Sequence, residues 1–337
     1  MRILKYFFLA GSVAVLAYLI FFNETRFQEI RGKAFNTYYS IKIKTPHKNA
    51  GLNRKIQEEL EKVNSQMSVF EPGSEINNIN ETPAKQTIEL SDEMSGLLQE
   101  AYNIYVMSNG NFDPTVGKLV DLWGFGTKKT IEFPKDEDIK AALKLTGFNK
   151  VRFSSNYKSL KKDISDININ LSAIAKGYAV DKVAELLKNE GYNDFVVEIG
   201  GEVAASGEKS EQTKGWNVGI KMPNSEENAA VVTMHNMSVA TSGDYRNYFY
   251  YNDKRYSHTI IPKTGYPVEH KLASVTVFNK SCMTADGLAT AIMVMGEKEG
   301  LSFADRNKIP AVFFVRTDNN DYEMIVSQSA KKLLENK

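Results

Sequence analysis

Apolar and polar positions divide the chain into a leading apolar run and a long segment where helical and extended spacings mix. Gly32 to Lys44 alternates in part and predicts a strand, with Phe35, Tyr39, Ile41 and Ile43 set against Ala34, Tyr38, Ser40 and Lys42. Ile56, Leu60 and Val63 recur at helical spacing within Asn53–Asn64, and Glu71-Pro-Gly-Ser74 reads as a turn. A capping sequence at Ser91-Asp-Glu-Met94 starts a helix that runs to about Ser108, where Asn109-Gly-Asn111 stops it. Pro134–Leu145 and Lys176–Asn189 read as further helices, the second with Gly191 as its C-terminal cap. Strands are predicted at Phe195–Ile199, Trp216–Lys221, Ala230–Asn236 and Ala273–Phe278. Helices follow at Ala285–Val294 and Glu297–Arg306, then a hairpin from Val312–Arg316 and Tyr322–Val326. Strands and helices mix without regular βαβ alternation, which points to α+β rather than a doubly wound sheet.

The leading run, Tyr6 to Phe22, holds no charge and is preceded by Arg2 and Lys5. It reads as a secretory signal or signal anchor, near the lower limit of about 17 residues for a spanning helix. No small-x-small cleavage pattern follows, so an uncleaved anchor over residues 1–23 is expected, with its start cytoplasmic and the rest exported. The expectation is a membrane-anchored protein with its folded part on the extracytoplasmic side.

Hydrophobic residues make up 42% of the chain and charged residues 25%, which allows a substantial core. The formal net charge of +1 and the lack of a basic tract with interleaved aromatics argue against nucleic-acid binding. The only cysteine, Cys282, permits no internal disulfide and has no adjacent histidine to activate it.

Several segments carry candidate chemistry. In Ser281-Cys-Met-Thr-Ala-Asp-Gly-Leu-Ala-Thr290, Asp286 and Thr290 share one helix face among small and apolar neighbours. They are suited either to a hard cation with oxygen ligands or, for Thr284 or Asp286, to capping the helix. In Asn170-Leu-Ser-Ala-Ile-Ala-Lys-Gly177, Lys176 opposes the helix dipole unless a phosphate joins it; a solvated lysine is the alternative. Gly110-Asn-Phe-Asp-Pro114 offers free backbone groups to a ring edge, or Asp113 simply caps a helix starting at Pro114. Glu198-Ile-Gly-Gly-Glu202 allows close backbone approach to a ligand, or merely a tight turn. His258 stands between two hydroxyls, with Ser242, Asp244, Arg246 and Ser257 in the same polar stretch; a structural histidine is the competing reading.

Taken together, the blocks resemble the ApbE family of FAD:protein FMN transferases. They are Phe70-Glu-Pro-Gly-Ser-Glu-Ile76, Gly110-Asn-Phe-Asp-Pro-Thr-Val-Gly117, Leu122-Trp-Gly-Phe-Gly126, Leu171-Ser-Ala-Ile-Ala-Lys-Gly-Tyr-Ala-Val-Asp181, Glu198-Ile-Gly-Gly-Glu202, Ala240-Thr-Ser-Gly-Asp-Tyr-Arg-Asn247, Ser257-His-Thr-Ile-Ile-Pro-Lys-Thr-Gly265 and Thr284-Ala-Asp-Gly-Leu-Ala-Thr-Ala291. The family's Met-Gly-Thr near the first strand reads Phe35-Asn-Thr37 here, and its common Asp before the Lys block is Asn170.

The resemblance implies an α+β, ApbE-type (T-fold-like) domain over residues 24–337, with antiparallel sheets and packed helices. It also implies Mg2+-dependent transfer of FMN from FAD to a Thr or Ser hydroxyl, releasing AMP. The implied metal ligands are the side chains of Asp286 and Thr290 with backbone oxygens of Ala289 and Ala173. FAD contacts fall on Phe35, Phe70, Asn111, Phe112, Asp113, Asn170, Lys176 and Ile260, and His258 is the implied base. The implied acceptors are subunits of Nqr- and Rnf-type redox complexes bearing a Ser/Thr-Gly-Ala-Thr-like segment. A membrane-anchored FAD pyrophosphatase and a flavin carrier without chemistry are the competing functions.

Overall fold

The computed structural model describes residues 27–127, 132–245, 247–319 and 321–335. The leading apolar run with Arg2 and Lys5, and Arg246, lie outside them. In chain order the elements begin β1 (Phe27–Ala34), β2 (Thr37–Lys44), α1 (Leu52–Met67), α2 (Glu75–Glu81), β3 (Ile88–Glu89) and α3 (Asp92–Met107). Then come α4 (Gly117–Leu122), α5 (Asp136–Lys144), β4 (Val151–Phe153), β5 (Ser159–Lys162), α6 (Ser172–Asn189), β6 (Phe195–Ile199) and β7 (Glu202–Ser206). The chain continues through β8 (Trp216–Lys221), β9 (Asn228–Met234), β10 (Met237–Gly243), β11 (Tyr248–Tyr251), β12 (Lys254–Ser257) and β13 (Leu272–Asn279). It closes with α7 (Cys282–Arg306), β14 (Ala311–Arg316), β15 (Tyr322–Val326) and α8 (Gln328–Glu335).

An eight-stranded sheet in the order β1-β2-β6-β7-β10-β13-β14-β15 forms the centre, and every neighbouring pair in it is antiparallel. Its strands β7, β13 and β14 are buried on both faces. In β14, Ala311, Phe313 and Val315 pack with α1, α3, α6 and α7, whereas Val312 and Phe314 pack with β8, β9 and α8. The period of two in the strands and the two covered faces make a three-layer α+β arrangement.

The expected single strand at Gly32–Lys44 is a hairpin. Phe35 and Asn36 both have positive φ, 52° and 58°, and form its two-residue turn. Such turns need left-handed backbone at both central positions, which Asn tolerates next best after Gly. Ser74 caps the short α2, and Ser91 caps α3 by accepting the Met94 N–H at 3.1 Å. The two helices expected after Cys282 are present within α7 and meet at Gly296, whose φ of 78° is non-helical and separates them. There the His270 Nε2–H donates to the Met293 carbonyl at 2.7 Å. Among the described residues no helix is long and apolar enough to cross a membrane.

Candidate functional site

A cleft of about 440 Å³ opens where the start of α6, the second turn of α7, the turn between β6 and β7, the Asn111–Val116 loop and the base of the β11–β12 hairpin converge. It has a helical end rich in charge and a hairpin end rich in rings.

At the helical end, Asn170 Oδ1 accepts the Ser172 N–H at 2.9 Å and starts α6. The Asn170 N–H donates to the Pro114 carbonyl at 2.7 Å, tying the two loops together. Lys176 is neither a solvated residue nor a free one: its Nζ donates to Glu202 Oε1 at 2.6 Å. About a third of the Lys176 side chain, 34%, stays exposed, while Glu202 is 2% exposed. Asp286 is buried, and its Oδ2 accepts the Gly177 N–H at 3.0 Å. In an unbroken helix that N–H serves the Ala173 carbonyl, and Ala173 lines the cleft. The contact needs α6 and α7 to touch backbone to backbone. A Cβ on Gly177 would lie 2.4 Å from the Cys282 carbonyl oxygen.

Asp286 does not cap α7. Ser281 Oγ accepts the Thr284 N–H at 3.2 Å, and Asp181 on α6 accepts from the Ser281 hydroxyl and the Cys282 and Met283 N–H groups. The Thr284 hydroxyl donates to Glu100 at 2.7 Å. With the caps supplied elsewhere, Asp286 faces the cleft. One turn on, Thr290 Oγ1 lies 3.3 Å from Ser242 Oγ. Cys282 is a buried structural residue, its thiol pushed well up by burial.

Burial raises the Asp286 and Glu202 carboxyls above their ordinary range, against the pull of Lys176. Burial also opposes charge on Lys176, but Asp286 and Glu202 together outweigh it and hold the ammonium protonated. Two buried carboxyls thus share one ammonium, and Glu202 Oε2 has no hydrogen-bond partner among the described residues. No group of three or more His, Cys, Asp or Glu gathers among the described residues. A cation here would rely on Asp286, the Thr290 hydroxyl, backbone oxygen and the ligand's own oxygens. The surplus of buried negative charge and the all-oxygen donor set fit a hard divalent ion.

At the hairpin end, the His258 N–H donates to the Asn247 carbonyl at 3.1 Å, closing the base of the hairpin. His258 Nδ1 is 2.9 Å from the same carbonyl oxygen. A carbonyl only accepts, so Nδ1 carries the proton and Nε2 keeps its lone pair. Burial lowers the His258 pKa below its ordinary 6.5, although the Asn247 bond pulls the other way. The ring is therefore neutral at pH 7. Ile260 joins the Leu119 and Trp123 cluster behind it.

Phe70 stands at the rim, 60% exposed, and Asn111 and Phe112 form a buried wall. Asp113 lines the cleft, but its carboxylate serves the loop: Oδ1 accepts the Thr115 N–H at 2.8 Å and Oδ2 the Phe148 N–H at 3.1 Å. Its turn-forming role accounts for those oxygens. Two expected residues are not brought to this cleft. Phe35, turned by the positive-φ hairpin, lines a separate groove with Leu60 and Asn64. Ala289 is fully buried and does not line it. Asp244 is occupied by Arg255 at 3.1 Å and by Arg316, as a buried brace. Glu202 is the residue the sequence reading passes over as a partner for Lys176. Its signal is a lone acid opening the strand Val203-Ala-Ala-Ser206, whose residues are all buried.

The sequence profile of the ApbE family matches residues 35–313. The chain is 38% identical over 311 residues to a FAD:protein FMN transferase of Vibrio cholerae, covering 90% of this chain and 92% of that protein. It is 38% identical over 326 residues to one of Haemophilus influenzae, covering 94% of each. The solved structure of the flavin transferase ApbE from Vibrio cholerae superposes with a TM-score of 0.84 at 36% identity, covering 92% of this chain and all of that one. With sequence profile, fold and ordered blocks agreeing over nearly the whole described chain, the protein belongs to the ApbE family.

Proposed function

We propose that the protein transfers FMN from FAD to a Ser or Thr hydroxyl of an acceptor protein. The observation that carries this reading is the pairing, in one cleft, of a charge-neutralising end with a neutral histidine whose Nε2 is free to accept a proton. The acceptor oxygen attacks the FMN-side phosphorus of the FAD pyrophosphate. A new O–P bond forms, the bond from that phosphorus to the bridging oxygen breaks, and AMP leaves with that oxygen. His258 Nε2 takes the hydroxyl proton. The Lys176 ammonium is placed to offset charge on the phosphate oxygens, and the positive end of the α6 dipole adds to it. Phe70 at the rim offers a ring face to the isoalloxazine.

Asp286, Thr290 and the Ala173 carbonyl are the groups that would hold Mg2+, whose role when bound is to neutralise charge on the pyrophosphate. The acceptor class proposed is a subunit of an Nqr- or Rnf-type redox complex. The apolar run at Tyr6–Phe22 supports an anchor that keeps the catalytic domain beside such complexes on the periplasmic side.

The test is incubation of the domain with FAD, Mg2+ and the soluble domain of an Nqr-type subunit. The acceptor should gain the mass of FMN, with one AMP released per FMN bound. Free FMN plus AMP without a mass gain would make the protein a pyrophosphatase, and intact FAD would make it a carrier.

A further inference from the structure

The β11–β12 hairpin is a two-stranded sheet of its own, joined to no other strand among the described residues. Its base is the Asn247–His258 pair at the hairpin end of the cleft. Because His258 bonds inward to Asn247, hydrogen-bonded pairs alternate from there: Phe249 with Tyr256, then Tyr251 with Lys254. The backbone groups of Tyr248 and Tyr250 therefore point outward along the β11 edge. Both side chains are also open, at 43% and 66% exposed. The opposite edge is closed at Ser257, which is 3% exposed.

The hairpin is held rigidly enough to act as a template. Phe249 and Tyr256 stack at 5.5 Å, Tyr256 stacks on Trp123 at 5.6 Å, and Tyr251 stacks on Phe133 at 4.3 Å. Arg255 is fixed by Asp244 and lies over the Tyr248 ring at 4.4 Å. Its cations are already paired, Lys254 with Glu269 and Arg255 with Asp244. What the edge offers is backbone unpaired among the described residues, and tyrosine rings, not charge.

We infer that the β11 edge is the docking strand for the acceptor polypeptide, which adds to it as a third, extended strand. The occupant follows from the continuity of the edge with the cleft, since a chain pairing along Tyr250 and Tyr248 runs on toward Asn247, which lines the cleft and bonds His258 across the hairpin. Recognition would come from main-chain hydrogen bonds and ring contact, with the hydroxyl residue delivered at the hairpin base. This rests on the transferase reading.

Tyr250→Pro removes the outward N–H and no bond within the hairpin. With the full domain, FAD, Mg2+ and an Nqr-type acceptor domain, the KM for acceptor should rise about tenfold, the worth of one lost hydrogen bond. The Kd for FAD should stay within about twofold, since Tyr250 does not line the cleft. An unchanged KM overturns the docking edge. If the variant does not fold, amide hydrogen exchange on the unaltered protein decides. Slowed exchange at Tyr248 and Tyr250 on adding acceptor supports the edge, and no slowing along β11 overturns it. Unaltered protein that cleaves FAD but labels no acceptor overturns the transferase reading itself, a result separable from either outcome on the edge.

Discussion

The two ends of the cleft are built on different principles. The helical end sets buried charge on packed backbone: Lys176, Glu202 and Asp286 sit where α6 and α7 meet at Gly177, and caps from Ser281 and Asp181 spare Asp286 from capping α7. The hairpin end sets one neutral imidazole on a stack of rings, with its tautomer fixed by a single carbonyl. The first can stabilise a polyanion, and its carboxyls are engaged with Lys176 and with the Gly177 N–H. The second can remove the proton but neutralises no phosphate. The division assigns the pyrophosphate to one end and the acceptor to the other, and it can be broken from either side.

The largest effect is expected at the hairpin end. His258→Ala should slow FMN transfer by roughly 10²–10⁴, as for loss of a general base. A progress curve of acceptor labelling measures this. Asp286→Ala should lower transfer by at least about a hundredfold, near the ~3 kcal/mol of one key electrostatic group. Full transfer by this variant with Mg2+ present would remove Asp286 from the account.

A smaller effect is expected from pH. The His258 pKa lies below 6.5 in the fold, because burial disfavours the charged ring. The base form is complete above that pKa, so transfer should be level at neutral pH and fall about tenfold per unit once pH drops below it. The same shift acts on stability. Between the folded pKa and 6.5 the unfolded chain binds more protons, so this contribution is full above 6.5 and is lost as pH falls through the folded pKa. A transfer rate that instead rises on acidification would contradict a neutral base.

Gly177→Ala tests the helical end through packing. Its Cβ would meet the Cys282 carbonyl and Met283 Cα, which are backbone and cannot swing aside. A loss of about 1–3 kcal/mol is expected in denaturant melts. Any unaltered stability would mean that α6 and α7 have slack between them.

Much of this was legible in the chain. Strands with β-branched alternation and helices with clear caps, such as Phe195–Ile199 and the Ser91-capped helix, lie within a few residues of where the pattern puts them. The strands β7 and β10 were harder to see, because Val203-Ala-Ala-Ser206 and the buried Ser238-Val-Ala240 are short, mostly small residues with little contrast to read. The site residues His258, Lys176, Asp286 and Thr290 stood out by type and setting, and the cleft gathers them. The brace role of Asp244 and the partnership of Lys176 with Glu202 depend on contacts between residues far apart in sequence. No spacing rule encodes them. The left-handed turn at Phe35 was hidden because Asn36 stands where a glycine would have announced it.

The most direct test of the divided cleft is to titrate FAD, with and without Mg2+, into His258→Ala and Asp286→Ala side by side by calorimetry. The account predicts that His258→Ala binds FAD as the unaltered protein does, tighter with Mg2+, while Asp286→Ala loses the Mg2+ dependence. FAD binding that collapses in His258→Ala, or stays Mg2+-dependent in Asp286→Ala, would contradict it.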